Sequence, residues 1–302
     1  MLRKLAFFFI RFGGLAFLFR NFIQKRKVSI LLFHDPTPKD FEKAVIYLKR
    51  HYKIITLDRF LECLEKKQVP SLPNKSVVLT FDDGHYKNYL LFETLEKHQV
   101  PVTIFLCAGI VNTNRQFWFK TKMKCLNNQT LKKIDNNSRL GLLKIHGFDQ
   151  KKEYDQPQAL QKEQIEKMKS YVNFQSHTMF HPILPQCNNK EAEFEIETSF
   201  DKLKTDFNLN ITTLAYPNGD YSLRDIEIAK NAGYKYGVTV DYGFNENSTQ
   251  HFQIKRLSVN DTSNLNEFIA KSSGVWGFIK TRNGRRQAYG LQNSIHENSQ
   301  IN

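Results

Sequence analysis

Cysteine is scarce in this chain, with four residues, and none of Cys63, Cys107, Cys125 and Cys187 forms a CxxC pair or falls at metal-finger spacing. The spacing offers no CxxC redox pair and no cysteine zinc finger, it leaves the redox compartment open, and Cys107, inside an apolar run, reads as a buried thiol. Acidic residues are absent from the first 27 positions, MLRKLAFFFIRFGGLAFLFRNFIQKRK. A long apolar run is absent too. Arg11 divides that stretch into charge-free runs at 5–10 and 12–19, which even joined would rise roughly 22 Å as a helix against a hydrocarbon core of about 30 Å. An arginine near the middle costs about 2.5–3.5 kcal/mol more. No small-residue cleavage site follows, so a removed signal peptide fits poorly. Internal repeats are also missing.

What is present is positive charge and aromatic surface. Forty-four Lys and Arg face thirty Asp and Glu, a net charge of +14. The excess sits at the ends. Arg3, Lys4, Arg11, Arg20, Lys25, Arg26 and Lys27 open the chain, and Lys280, Arg282, Arg285 and Arg286 lie near its close. No basic stripe interleaved with aromatics runs through the body, which argues against a nucleic-acid partner. Residues 1–27 read as a basic, aromatic amphipathic helix lying on an anionic membrane surface. The alternatives are a helix that packs its apolar side on the protein's own body and an uncleaved anchor.

From residue 28 onward, apolar strand patterns (28–33, 77–81, 102–106, 171–175, 212–215, 236–240) alternate with helical ones (40–50, 57–67, 86–98, 190–207, 224–232). Strands apolar on both faces and separated by helices predict a parallel sheet covered by helices. Periodicity weakens over 112–161, which reads as a helical insertion or lid. After Gly284 it is lost altogether, and the polar tail 281–302 is expected to be disordered. One α/β domain over 28–280 accounts for the remainder.

Three strand ends carry chemistry. SVVLTF runs into Asp82-Asp83-Gly84, and parallel α/β folds place ligands at that edge. Consecutive residues leaving a strand point different ways, so one carboxylate can hold a metal while the other faces a water. FQSHTMFHP sets His177 and His181 four apart, which on one helical turn would put both imidazoles on one face. An oxygen and two nitrogens with an open position form the layout of a catalytic zinc site. LAYPNGDYS places Asn218 in a tight loop whose backbone N–H suits an oxyanion. Taken singly, each is also ordinary: Asp-Gly and Pro-Asn-Gly are turn sequences and histidine pairs often decorate surfaces.

Together TFDDG (80–84), SHTMFHP (176–182) and AYPNG (215–219) resemble, in order and spacing, the first three motifs of the polysaccharide deacetylase family, the NodB-homology enzymes of carbohydrate esterase family 4. Weaker similarity extends over roughly 28–260. The resemblance implies a distorted (β/α)7 barrel of the NodB type. It also implies a zinc-type divalent ion held by Asp83, His177 and His181, Asp82 as general base, and removal of acetyl groups from N-acetylated sugars of a polysaccharide or glycan precursor, lipid-linked ones included. Two departures stand out. Ala215 replaces the arginine that opens the third motif in many members, and Arg256 in IKRLSV is the candidate to orient Asp82 instead. The Leu-x-His motif, source of a general acid in many members, has no counterpart, leaving His34 or a water for that role. Trp118, with Tyr216 and Pro217, is expected to contact substrate, Trp118 by stacking on a sugar ring or else by anchoring the insertion. The localisation implied is the cell envelope, associated with a membrane. A competing reading is a membrane-associated carbohydrate-binding protein with a degenerate site.

Overall fold

The computed structural model of the chain describes residues 2–121 and 127–282. Cys125 and the tail 283–302 lie outside the described residues. Eight strands pair entirely in parallel: β1 (Ser29–Phe33), β2 (Lys53–Ile54), β3 (Ser76–Phe81), β4 (Val102–Leu106), β5 (Val172–Ser176), β6 (Thr213–Ala215), β7 (Tyr236–Val238) and β8 (Leu257–Ser258). The order is β7-β6-β5-β4-β3-β1-β8, with β2 added beside β3. Ile254, just ahead of β8, bridges Val238 of β7, its N–H donating to Gly237 O at 3.0 Å. The sheet thereby curls round on itself as the expected distorted (β/α)7 barrel.

Every residue of β1, β3 and β4 is buried, because alternate side chains serve two different cores. Leu31, Phe33, Leu79 and Phe81 pack outward against Phe41, Val45 and Leu48 of the helix Pro38–His51. Ile30, Val78, Phe105, Ala215 and Val238, drawn from five strands, meet inside the barrel with Phe60 and Leu64 of the helix Leu57–Glu65. The helix starts follow from local chemistry: Thr37 and Thr56 accept the N–H of Asp40 and Arg59, and Asn188 with Glu191 forms a capping box.

The N-terminal stretch forms the helix Leu2–Phe12, a break at Gly14 (φ 85°), the short helix Leu15–Leu18 and a π-helical turn Phe19–Ile23. Among the described residues no single helix is long and apolar enough to cross a membrane; the two halves pass only as a pair bent by 55°. One side of the pair packs on the body, Phe7, Ile10 and Ala16 meeting Ile269, Ala270 and Val275. The other side is exposed. The helix Val275–Arg282 carries ordered structure slightly past residue 281, where the polar tail was expected to begin.

The expected insertion includes, among its described residues, the short helices Asn128–Leu131 and Asn136–Ile145. A small core of its own, Trp118, Leu131, Leu143 and Phe148, seats on Ile183.

Candidate active site

Asp82 continues the ladder of β3, its N–H donating to Phe33 O at 3.1 Å. Asp83 then turns into the left-handed region (φ 74°), followed by Gly84 (φ 68°), where a Cβ would lie 2.6 Å from Leu106 Cδ2. A side chain there would be strained by the backbone and would have to push Leu106 aside, so glycine is favoured. This reversal separates the two carboxylates.

Arg256, brought beside β3 by the closing strand, donates to both oxygens of Asp82, Nη1 to Oδ1 at 2.7 Å and Nη2 to Oδ2 at 2.8 Å, and its Nε donates to Thr239 O at 2.8 Å. Both side chains are buried. Burial pushes the Asp82 carboxyl up, but the Arg256 guanidinium and His177 outweigh it and hold the group below its ordinary value. Arg256 thus stands where the chain lacks the earlier arginine.

Asp83 Oδ1 lies 3.5 Å from His177 Nε2 and 3.3 Å from His181 Nε2, and the ligand atoms of the three residues fall within 4.8 Å of one another. Bonds of about 2.0–2.1 Å to a tetrahedral zinc imply donor separations of about 3.3–3.4 Å, close to both distances. Asp83 Oδ1 is buried without a hydrogen-bond partner, a costly arrangement for a carboxylate unless a cation satisfies it. His177 Nδ1 sits 2.8 Å from Ala215 O. A carbonyl can only accept, so Nδ1 carries a proton and Nε2 is the ring atom that faces the donor set. Burial lowers the His181 pKa to about 3, leaving that ring neutral; burial also lowers His177, but the Asp82 and Asp83 carboxylates outweigh it and raise that group, so a cation bound there would displace a proton from Nε2. The donor set fits a divalent cation.

The two histidines do not share a helical turn. Thr178 and His181 both have left-handed backbones (φ 64° and 57°), and the segment after β5 is an irregular loop. Its shape is held from below by Glu195, whose Oε2 accepts the N–H groups of Met179 and Phe180 at 2.9 and 2.8 Å. Burial raises the Glu195 pKa to about 7. Nothing in the sequence distinguishes Glu195 from its exposed neighbours on the helix Asn189–Phe207. His85 was equally unsignalled: it is buried, with Nε2 3.0 Å from Asp83 Oδ2 and Nδ1 3.0 Å from Lys120 Nζ.

A cavity of about 270 Å³ opens over these groups, lined among others by His34, Phe119, Lys132 and Asn218. The His34 side chain is 41% exposed, with Nδ1 3.9 Å from Asp261 Oδ2, so it is a cavity-wall residue. Asn218 (φ 58°) holds its loop in a left-handed turn, and its Oδ1 accepts from Lys132 of the insertion at 2.6 Å. The insertion therefore contributes to the roof of the cavity.

Three expected substrate contacts need correction. Trp118 is 2% exposed; its Nε1 donates to His181 O at 2.7 Å and Arg139 lies over its ring at 4.5 Å. It anchors the insertion to the barrel, and the neighbouring Phe119, 4.8 Å from the His181 ring, is the aromatic that lines the cavity. Tyr216 is fully buried, stacked on Tyr221 at 4.7 Å with its hydroxyl donating to Phe252 O. Pro217 is buried beneath the loop. Neither Tyr216 nor Pro217 lines the cavity; of this loop it is Asn218 that reaches it.

A parallel barrel that gathers an arginine-held carboxylate and an Asp/His/His donor set at its strand ends is the framework of a hydrolase. The chain belongs to the polysaccharide deacetylase family, whose profile matches residues 69–237. It is 22% identical over 242 residues to the poly-beta-1,6-N-acetyl-D-glucosamine N-deacetylase of Staphylococcus aureus, spanning 76% of this chain and 69% of that protein. Among solved structures it superposes on the Streptococcus pyogenes deacetylase PplD in complex with acetate (TM-score 0.60, 21% identity, 82% of this chain and 98% of that one). It also superposes on IcaB from Ammonifex degensii (TM-score 0.59, 18% identity, 82% and 97%).

Proposed function

We propose that this chain removes acetyl groups from N-acetylated amino sugars of a polysaccharide, a poly-N-acetylglucosamine being the substrate class that the named relative points to. The observation that carries the reading is Asp82, clamped by Arg256 at 2.7 and 2.8 Å, standing beside the Asp83, His177 and His181 donor set.

Asp83, His177 and His181 would hold a divalent cation, zinc being the best match for one carboxylate and two imidazoles, and it would supply Lewis-acid polarisation and a more acidic water. The chain's own groups do the rest. Asp82, kept ionised and aimed by Arg256, takes the proton of the attacking water as its oxygen bonds to the acetyl carbon. The Asn218 backbone N–H is the donor for the oxyanion that develops. His34 delivers a proton to the sugar nitrogen as the C–N bond breaks, giving acetate and a free amine. Phe119 offers a face to the apolar side of the sugar ring.

A binding-only role is favoured by the missing Leu-x-His motif and by Ala215, and the Asp82–Arg256 pair weighs against it. Acetate release from N-acetylglucosamine oligomers, with chelator and after metal is returned, tests the proposal. No acetate with zinc, cobalt, nickel or manganese would sink it. The exposed aromatic face of the N-terminal helices supports attachment to a cell-envelope membrane, and that placement is part of the reading.

A further inference from the structure

The N-terminal helices leave two things unexplained by catalysis: an uncovered aromatic face and a second cavity. Phe9, Phe12, Phe17 and Phe22 are 65%, 61%, 55% and 72% exposed, in a stretch that contains no acid. Beside them a cavity of about 480 Å³ opens between these helices and the helix Pro38–His51. Phe12 and Phe17 form part of its wall, so the exposed face runs directly into it. Arg11, Arg20, Lys43 and Arg50 line it as well, and no carboxylate is among its lining residues.

Two of these cations are held in place. Arg20 is buried and donates to Tyr47 Oη at 2.7 Å, and Arg11 donates to Asn266 Oδ1 at 2.7 Å. Each spends one N–H on that contact, and a guanidinium has five. Lys43 is tied to Asp40 at 3.1 Å from outside the cavity. The positive potential registers on His51 at the rim, whose pKa is lowered by burial and then by Arg20, Arg50, Lys75 and Arg11. An apolar wall continuous with an exposed aromatic face, closed at one end by fixed cations, is complementary to a molecule with an anionic head and a hydrocarbon tail. A second copy of the chain is a poorer occupant, since a self-paired interface would oppose the same four cations across its axis.

We propose that this cavity takes the phosphate head of one anionic phospholipid drawn from the bilayer on which the aromatic face rests, with Phe12 and Phe17 against its acyl chains. This deepens the membrane placement given above and rests on it. The site would make attachment selective for lipid charge rather than merely hydrophobic.

The test uses the full chain with vesicles of phosphatidylcholine alone or mixed with phosphatidylglycerol, and native mass spectrometry from mild detergent. Wild type is expected to sediment with both vesicle types, to prefer the anionic one, and to retain one phosphatidylglycerol per chain. Lys43→Gln with Arg50→Gln, both exposed positions that do not line the catalytic cavity, should lose the retained lipid. At roughly fivefold per cation removed, the preference for anionic vesicles should fall about 25-fold, with deacetylation of soluble oligomers unchanged. Phe9→Ser with Phe22→Ser should weaken binding to both vesicle types equally. A double glutamine variant that keeps the lipid and the preference overturns the cavity while leaving membrane attachment standing. Failure of wild type to bind any vesicle, retention of free glycerol phosphate without vesicle binding, or a dimer that covers the aromatic face overturns both.

Discussion

Replacing Arg256 with glutamine isolates the group that this chain uses in place of the missing third-motif arginine. The guanidinium makes two bonds to Asp82, at 2.7 and 2.8 Å, in a site where both residues are buried. Removing one member of such a pair leaves an uncompensated charge, at a cost of about 3–5 kcal/mol. The carboxylate can relieve this by binding a proton or by swinging away, and either event removes the base. General-base assistance contributes about 10²–10⁴-fold, so kcat/KM for an N-acetylglucosamine oligomer should fall by at least about 100-fold. The sign of the pH effect is fixed by the direction of the shift. Arg256 holds the Asp82 pKa below its ordinary value, so its loss moves the acid limb of the rate profile to higher pH. Arg256→Lys, which keeps the charge but not the paired geometry, should fall between. Circular dichroism melting and metal content control for misfolding, since Arg256 touches none of the three proposed ligands. Wild-type kcat/KM in Arg256→Gln, with the acid limb unmoved, would refute the assignment of Arg256.

Asp82→Asn should bind oligomers with wild-type affinity by calorimetry yet release no acetate; loss of binding instead would mean that Asp82 holds substrate. His177→Ala should lower zinc content measured by atomic absorption as well as activity, and dialysis of wild type against chelator should be reversed by zinc. Glu195 keeps its proton to about pH 7 in the folded state against an ordinary 4.5, so folding takes up a proton between those values and stability declines as pH rises through them. The decline is at most about 3 kcal/mol, and melting temperatures of Glu195→Gln measured from pH 5 to 8 should show a flatter curve. Trp118→Ala should lower stability by about 3–5 kcal/mol in urea titrations, whereas Phe119→Ala should raise KM with little change in melting.

Much of the site was legible because its residues sit at strand ends. TFDDG, SHTMFHP and AYPNG each follow a strand, and parallel strands of a barrel deliver their ends to one rim regardless of the sequence between them. Arg256 could be anticipated from the vacancy at Ala215. Glu195 and His85 could not, because their roles arise from contacts with backbone N–H groups and with Asp83 that no periodicity encodes. Trp118 and Phe119 are neighbours in a segment of weak pattern, and the packing of Leu131, Leu143 and Phe148 decided which ring is buried.

The sequence alone determined the alternation of strands and helices and the donor types at three strand ends, because apolar runs and short polar motifs are local properties. Tertiary structure decided which way each donor points, since Asp83, Thr178, His181 and Asn218 all adopt left-handed backbones that only surrounding packing can hold. It also decided the two faces of the N-terminal helices. One is covered because Ile269, Ala270 and Val275 lie against it; the other stays open because no described part of the fold reaches it.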